Sequence, residues 1–162
     1  DGATAEVFDN GQFATIYLSP RDYHRMHMPI NGELLEQVHV PGRLFSVAPH
    51  TVKTVSRIFA RNERVIARFQ TEYGQMIMVL VGAINVAAIE TVWDGLITPP
   101  KGKHVGRKQY EAGEVVLEKG EEMGRFNMGS TVVLLMESPE PALSEALKEG
   151  LTLRMGQAIS DA

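Results

Sequence analysis

Histidine is the side chain whose ordinary pKa lies nearest neutrality, so two histidines close in sequence are candidates for proton transfer or metal binding. His24 and His27 stand three apart in Asp22-Tyr23-His24-Arg25-Met26-His27. On a helical turn that spacing puts both rings on one side; in a polar loop it marks only a basic, exposed stretch. A zinc site would need a third ligand, and no His-rich or acidic motif accompanies the pair. His39, His50 and His104 are isolated and read as structural or surface residues. The second feature is Gly129-Ser130-Thr131, where a polar, glycine-containing stretch meets an apolar one. Taken alone it is a common turn. It is not a nucleophile elbow, since Gly-x-Ser-x-Gly is absent, and not a phosphate loop, since no Gly-Lys-Ser or Gly-Lys-Thr follows. The chain has no cysteine, which excludes disulfides, thiolate metal sites and cysteine nucleophiles together.

The elements that must position these residues read as mostly strand. A chain of 162 residues corresponds to one domain, here taken as 1–162, and is long enough to own a core. With 44% hydrophobic and 22% charged residues it has ordinary globular composition. The net charge of −4 gives no reason to expect a nucleic-acid partner. Glycine (15) and proline (8) recur at short intervals, the rhythm of a strand-rich domain. Residues 12–18 alternate as a strand, and Ser19-Pro20 then offers a helix start, so 21–27 is expected as a short helical turn or ordered loop. Residues 32–40 form another strand. Residues 64–72 and 75–83 read as two arms of a hairpin around Tyr73-Gly74, and 86–93 continues the strand pattern. Residues 101–107 read as a basic loop, 120–129 as a polar glycine-rich loop, 130–136 as a buried strand, and 141–149 as a short helix. The fold class expected is α+β but predominantly β: a compact antiparallel or mixed sandwich-like domain with short helices.

The polar, acidic start is unlike a secretory signal, and the missing initiator Met suggests that a segment was removed upstream. The apolar run 76–89 is too short to span a bilayer as a helix. Any membrane contact is therefore expected to be peripheral, or to belong to a segment outside this chain.

A resemblance sharpens this reading. Tyr17-Leu18-Ser19-Pro20-Arg21-Asp22-Tyr23-His24-Arg25-Met26-His27-Met28-Pro29 resembles the histidine motif of bacterial phosphatidylserine decarboxylases. The likeness continues through Pro41-Gly42-Arg43-Leu44-Phe45-Ser46-Val47, Phe59-Ala60-Arg61-Asn62-Glu63-Arg64-Val65 and Val81-Gly82-Ala83. It runs on through Ile89-Glu90-Thr91-Val92-Trp93 and Lys119-Gly120-Glu121-Glu122-Met123-Gly124-Arg125-Phe126 to Gly129-Ser130-Thr131, which matches the family's self-cleavage site. Met128 stands where the family usually has leucine or phenylalanine. The family's relay aspartate belongs to a Pro-Ala-Asp-Gly motif well upstream of the histidines. Asp1-Gly2 resembles the end of that motif but lies too close to His27, so the aspartate is expected ahead of this chain, together with membrane-associating helices.

Decarboxylating an amino acid requires an electron sink. Pyridoxal phosphate is one, and would need a Schiff-base lysine with a phosphate cradle. The resemblance implies another, a covalent pyruvoyl group made from Ser130, with neither a metal nor pyridoxal phosphate. The Ser130 hydroxyl attacks the Gly129 carbonyl, giving an ester; elimination breaks the chain into 1–129 and 130–162; and the dehydroalanine left at 130 hydrolyses to pyruvoyl and ammonia. By the same resemblance His27 is the relay base and His24 a second site histidine, here expected to return a proton to the substrate. Arg21 and Arg25 lie beside them as candidates for the phosphate of the head group. The implied partners are phosphatidylserine in the membrane and a second copy of the chain as a homodimer, at the cytoplasmic face of the bacterial inner membrane. The alternative of a different class is a non-catalytic β-rich module, lipid-binding or carrier-type.

Overall fold

A computed structural model describes residues 5–84, 88–98, 104–127 and 130–160. The strands are β1 (Gln12–Leu18), β2 (Arg25–His27), β3 (Gly32–Val40), β4 (Arg64–Thr71), β5 (Gly74–Val81), β6 (Ile89–Thr91), β7 (Gly95–Leu96), β8 (Gly106–Gln109), β9 (Val116–Leu117), β10 (Glu122–Phe126) and β11 (Ser130–Met136). Two short helices, α1 (Pro49–Thr54) and α2 (Ile58–Arg61), lie between β3 and β4. The strands make two antiparallel sheets. The larger runs β1-β11-β5-β4-β3-β8, with β9 also on β3, and the smaller runs β2-β10-β6-β7.

Side-chain alternation explains the larger sheet. Along β4, Val65, Ala67 and Phe69 are buried while Arg64, Ile66 and Arg68 are only partly covered. In β5 the inward set is Met76, Met78 and Leu80, and in β11 it is Val132, Leu134 and Met136. These meet Met26, Met28, Ile89, Met123 and Phe126 from the smaller sheet in one core cluster, a face-to-face arrangement that removes both apolar faces from water. The edge of Trp93 packs on Phe69, with ring centroids 5.9 Å apart.

The expected hairpin forms, with its arms shortened to β4 and β5 and its turn at Glu72-Tyr73. Thr71 faces Gly74 across a two-residue turn, and Gly74 takes a positive φ of 93° that a side chain would resist. Strands β1, β3 and β11 also match their expected spans.

Three expectations are corrected. Residues 21–24 are the ordered loop and not the helical turn, and the expectation fails at 25–27: the Ser19 carbonyl accepts from Asp22 N (2.9 Å), the chain turns, and β2 pairs with β10. Ladder bonds and the burial of Met26 and Met28 outweigh the local helix-start signal. Residues 120–129 are not simply a loop, since β10 occupies their centre. Gly124 belongs to that strand because a Cβ there would lie 2.4 Å from the Glu90 carbonyl oxygen, so the glycine permits the close approach of β6. Residues 141–149 are turns rather than a helix. Leu143 N donates to Gln12 Oε1 (2.8 Å) and Ser144 N to the Ile159 carbonyl (3.0 Å), so these backbone groups pair across the fold. The expected strand over 86–93 shortens to β6, with 85–87 outside the described residues, and the basic loop 101–107 gives way at Gly106 to β8, with 99–103 likewise outside.

Candidate active site

Ser130 is the first residue of β11. It lies opposite Leu18 of β1, and the next residue, Thr131, is flanked by Tyr17 of β1 and Val81 of β5. Ser130 and Thr131 are both 0% exposed. Their hydroxyl oxygens have no hydrogen-bond partner among the described residues. Buried hydroxyls are nearly always paired, so two adjacent orphans on one strand mark a place where stability has not been optimised. The other half of the cleavage motif, Gly129, lies outside the described residues.

The end of β1 leads from Leu18 into the histidine segment. Ser19 N donates to Asp22 Oδ2 (2.7 Å) while Asp22 N donates to the Ser19 carbonyl (2.9 Å), closing a four-residue turn that redirects the chain. His24 follows. Its Nδ1 lies 2.6 Å from the Asp22 carbonyl oxygen. A carbonyl only accepts, so Nδ1 carries a proton, and in the neutral ring the lone pair is on Nε2. That Nε2 is buried and has no partner among the described residues. The His24 carbonyl accepts from Phe126 N (2.9 Å), which ties the histidine to the last residue of β10, four positions before Ser130. A buried basic nitrogen and a buried hydroxyl are thus both unpaired, and neither is within hydrogen-bond reach of the other.

His27 is held differently. Its Nδ1 lies 2.7 Å from the Gly120 carbonyl oxygen, and its Nε2 lies 2.8 Å from the Tyr23 hydroxyl. The Gly120 carbonyl is fixed in turn by the pairing of Gly120 N with the Met28 carbonyl (2.8 Å) and of Met28 N with the Glu121 carbonyl (2.9 Å). A backbone carbonyl therefore sets the tautomer of His27. The pair does not share one side of a helical turn, because His27 lies in an extended strand and His24 in the bend before it.

The arginines separate as well. Arg25 bonds Glu122 through NH1 (2.6 Å), and that hydrogen bond and charge raise its guanidinium above its already high ordinary range. It is already partnered. Arg21 is exposed and makes no side-chain hydrogen bond or ion pair among the described residues, so of the two it is free to meet an anion. Beside them Glu90 bonds Asn127 (3.2 Å) and Arg125 (2.7 Å), which hold its carboxyl below the ordinary range. A shallow cleft of about 50 Å³, lined by Tyr17, Pro20, Val47, Ala83 and Ile84, opens at the same end of the larger sheet. Among the described residues no group of three His, Cys, Asp or Glu side chains could hold a metal ion.

Tyr23 and the Gly120 carbonyl were not singled out in the sequence. The signal for Tyr23 was its place four residues before His27, but that contact needs the turn over Ser19–Asp22 and the extended β2 after it, which a helix-start reading conceals.

The sequence model of the family described as phosphatidylserine decarboxylase matches residues 1–161. A phosphatidylserine decarboxylase proenzyme of Alkalilimnicola ehrlichii is 57% identical over 157 residues, covering 94% of this chain and 54% of that protein. Proteins of the same name from Xanthomonas axonopodis pv. citri and Xanthomonas euvesicatoria pv. vesicatoria are 52% and 51% identical over 160 residues, covering 99% of this chain and 57% of theirs. The chain thus spans little more than half the length of these relatives. A match this long places the chain with this family and not with a lipid-binding or carrier-type module. The chain belongs to the phosphatidylserine decarboxylase family.

Proposed function

We propose that this chain is the catalytic part of a phosphatidylserine decarboxylase whose prosthetic group arises from Ser130. The observation that carries the reading is the Ser130 hydroxyl, 0% exposed and unpartnered among the described residues at the start of a core strand. A serine nucleophile needs a base within hydrogen-bond reach, and the unpartnered Oγ is open to receive one.

In the maturation, His27 takes the Ser130 hydroxyl proton as Oγ bonds to the Gly129 carbonyl carbon. The Gly129–Ser130 C–N bond then breaks, leaving an ester and a free amine. Loss of the Ser130 Cα proton breaks the ester Cβ–O bond, so 1–129 departs with a carboxylate and 130 becomes dehydroalanine. Its imine tautomer takes up water and loses ammonia, leaving a keto end on 130–162. Burial supports this outcome over simple proteolysis. A charged ammonium at a position with no exposure is expensive, whereas a neutral carbonyl end is tolerated there.

The pyruvoyl group supplies the electron sink when carbon dioxide leaves an amine-linked substrate. His24 has an unpartnered Nε2, which first takes up a proton from solvent and then delivers it to the substrate α-carbon. Arg21, exposed beside it, takes the head-group phosphate, with Arg25 a second, already paired cation. The substrate is phosphatidylserine, reached from the cytoplasmic face of the bacterial inner membrane by peripheral attachment, and the working form is a homodimer. Intact mass of the full-length protein tests the reading. A fragment starting at 130 with a carbonyl in place of its amine is expected, and a serine-started fragment or a chain that stays whole counts against it.

A further inference from the structure

We propose that Tyr23 is a positioning residue that keeps the only lone pair of His27 out of the self-cleavage reaction until its phenol turns away. The proposal rests on reading His27 as the base for Ser130. The Gly120 carbonyl commits Nδ1 to the role of donor, so the neutral ring has one in-plane lone pair, on Nε2. That lone pair is taken by the Tyr23 hydroxyl at 2.8 Å. The two rings lie nearly parallel, 22° apart, with centroids separated by 5.7 Å. A serine hydroxyl must donate to the same lone pair before its proton can move. Tyr23 O–H and Ser130 O–H are therefore mutually exclusive partners of one nitrogen.

The contact is also easy to release. Tyr23 is 49% exposed and sits in the bend between β1 and β2, outside the core cluster. Turning it to solvent breaks one hydrogen bond and lets water replace it. His24, from the same bend, carries no such cover on its Nε2. The two histidines thus differ in what occupies the nitrogen that would do chemistry.

The full-length protein tests the proposal through Tyr23→Phe, which keeps the ring and removes the competing donor. A neutral hydrogen bond is worth about 0.5–1.5 kcal/mol, so release of the fragment beginning at 130 should quicken by about 2- to 13-fold. A second readout uses the uncleavable Ser130→Ala background, where the ¹⁵N resonance of His27 Nε2 reports its bonding. Tyr23→Phe should move that resonance toward an unbonded lone pair while Nδ1 stays protonated, a change that a purely structural tyrosine would not make. Unchanged or slower cleavage by Tyr23→Phe, in a protein whose wild type does cleave, overturns the role of Tyr23 alone. So does an unmoved Nε2 resonance. A wild type that never releases the fragment overturns the reading of Ser130 and, with it, this one.

Discussion

Removing the Ser130 hydroxyl should make the uncut protein more stable. The variant is Ser130→Ala, and the comparison is made in a full-length His27→Ala background so that both chains stay whole. A buried hydroxyl without a partner forfeits about 1–3 kcal/mol of lost hydration. The Ser130 hydroxyl is such a group among the described residues, at 0% exposure. Alanine removes that penalty and gives up a few tenths of a kcal/mol in lost contacts at the vacated oxygen. The net gain is about 1–2 kcal/mol, which raises the thermal midpoint of the full-length protein by about 1–5 °C. Urea unfolding followed by circular dichroism reads it as a higher midpoint concentration at unchanged slope. Thr131→Val, which also removes an orphaned buried hydroxyl while keeping the shape, should move the same way. A loss of 1 kcal/mol or more in Ser130→Ala would refute the reasoning, because it would mean that the hydroxyl is bonded in the folded protein.

His27→Ala should abolish release of the fragment beginning at 130, while His24→Ala should allow release and depress turnover; mass spectrometry and a lipid product assay separate the two, and a fully active His24→Ala protein would remove that residue from the reaction. Asn62→Ala should destabilise by about 3 kcal/mol or more in thermal unfolding, because the fully buried amide accepts from Phe45 N (3.1 Å) and donates to the Phe45 and Gly82 carbonyls (2.8 Å each). Burial works to raise the Asp94 carboxyl, but hydrogen bonds from Lys108, Tyr110 (2.6 Å) and Gln37 (3.0 Å) outweigh it and hold the group below its ordinary range. Its contribution to stability is therefore present above the usual aspartate range and fades as pH falls through the depressed value, so an Asp94→Asn protein should lose less stability between neutral and acidic pH than the wild type.

Strands with a clear alternation or an unbroken apolar run could be read from their residues alone. β1, β3, the β4–β5 hairpin and β11 are of this kind, since each has enough length for period two or a turn dipeptide to dominate. β2 and β10 were hidden because they are short and rich in charge. Their pairing depends on Met26 and Met123 reaching a core assembled from distant strands, and on Gly124 letting β6 approach. The helices α1 and α2 gave no signal, as α1 buries none of its residues and α2 begins from a left-handed Arg57. Composition and spacing left Ser130 as a turn residue and His24 as a loop residue. Only the resemblance of whole blocks raised them. The tautomer of His27 and the cover on its Nε2 come from a carbonyl and a phenol brought together by backbone turns, which residue types do not encode.

The place of β11 inside its sheet would have a further effect on the protein if it is cut as proposed. The strand is paired along seven residues with β1 and along six with β5, so it lies in the interior of the sheet. The Gln12 side chain also anchors the segment that follows it, donating to the Pro141 carbonyl (2.7 Å) and accepting from Leu143 N (2.8 Å). A break just before Ser130 converts this strand into a separate molecule wedged between two ladders. Folding of the cut protein then becomes an association of two polypeptides, and its thermal midpoint acquires a dependence on protein concentration that the joined chain lacks. Once melted and diluted, the two pieces have no tether to bring them back. Cleavage at this position, as proposed, would thus leave a protein whose assembly is remembered only by the contacts it already has.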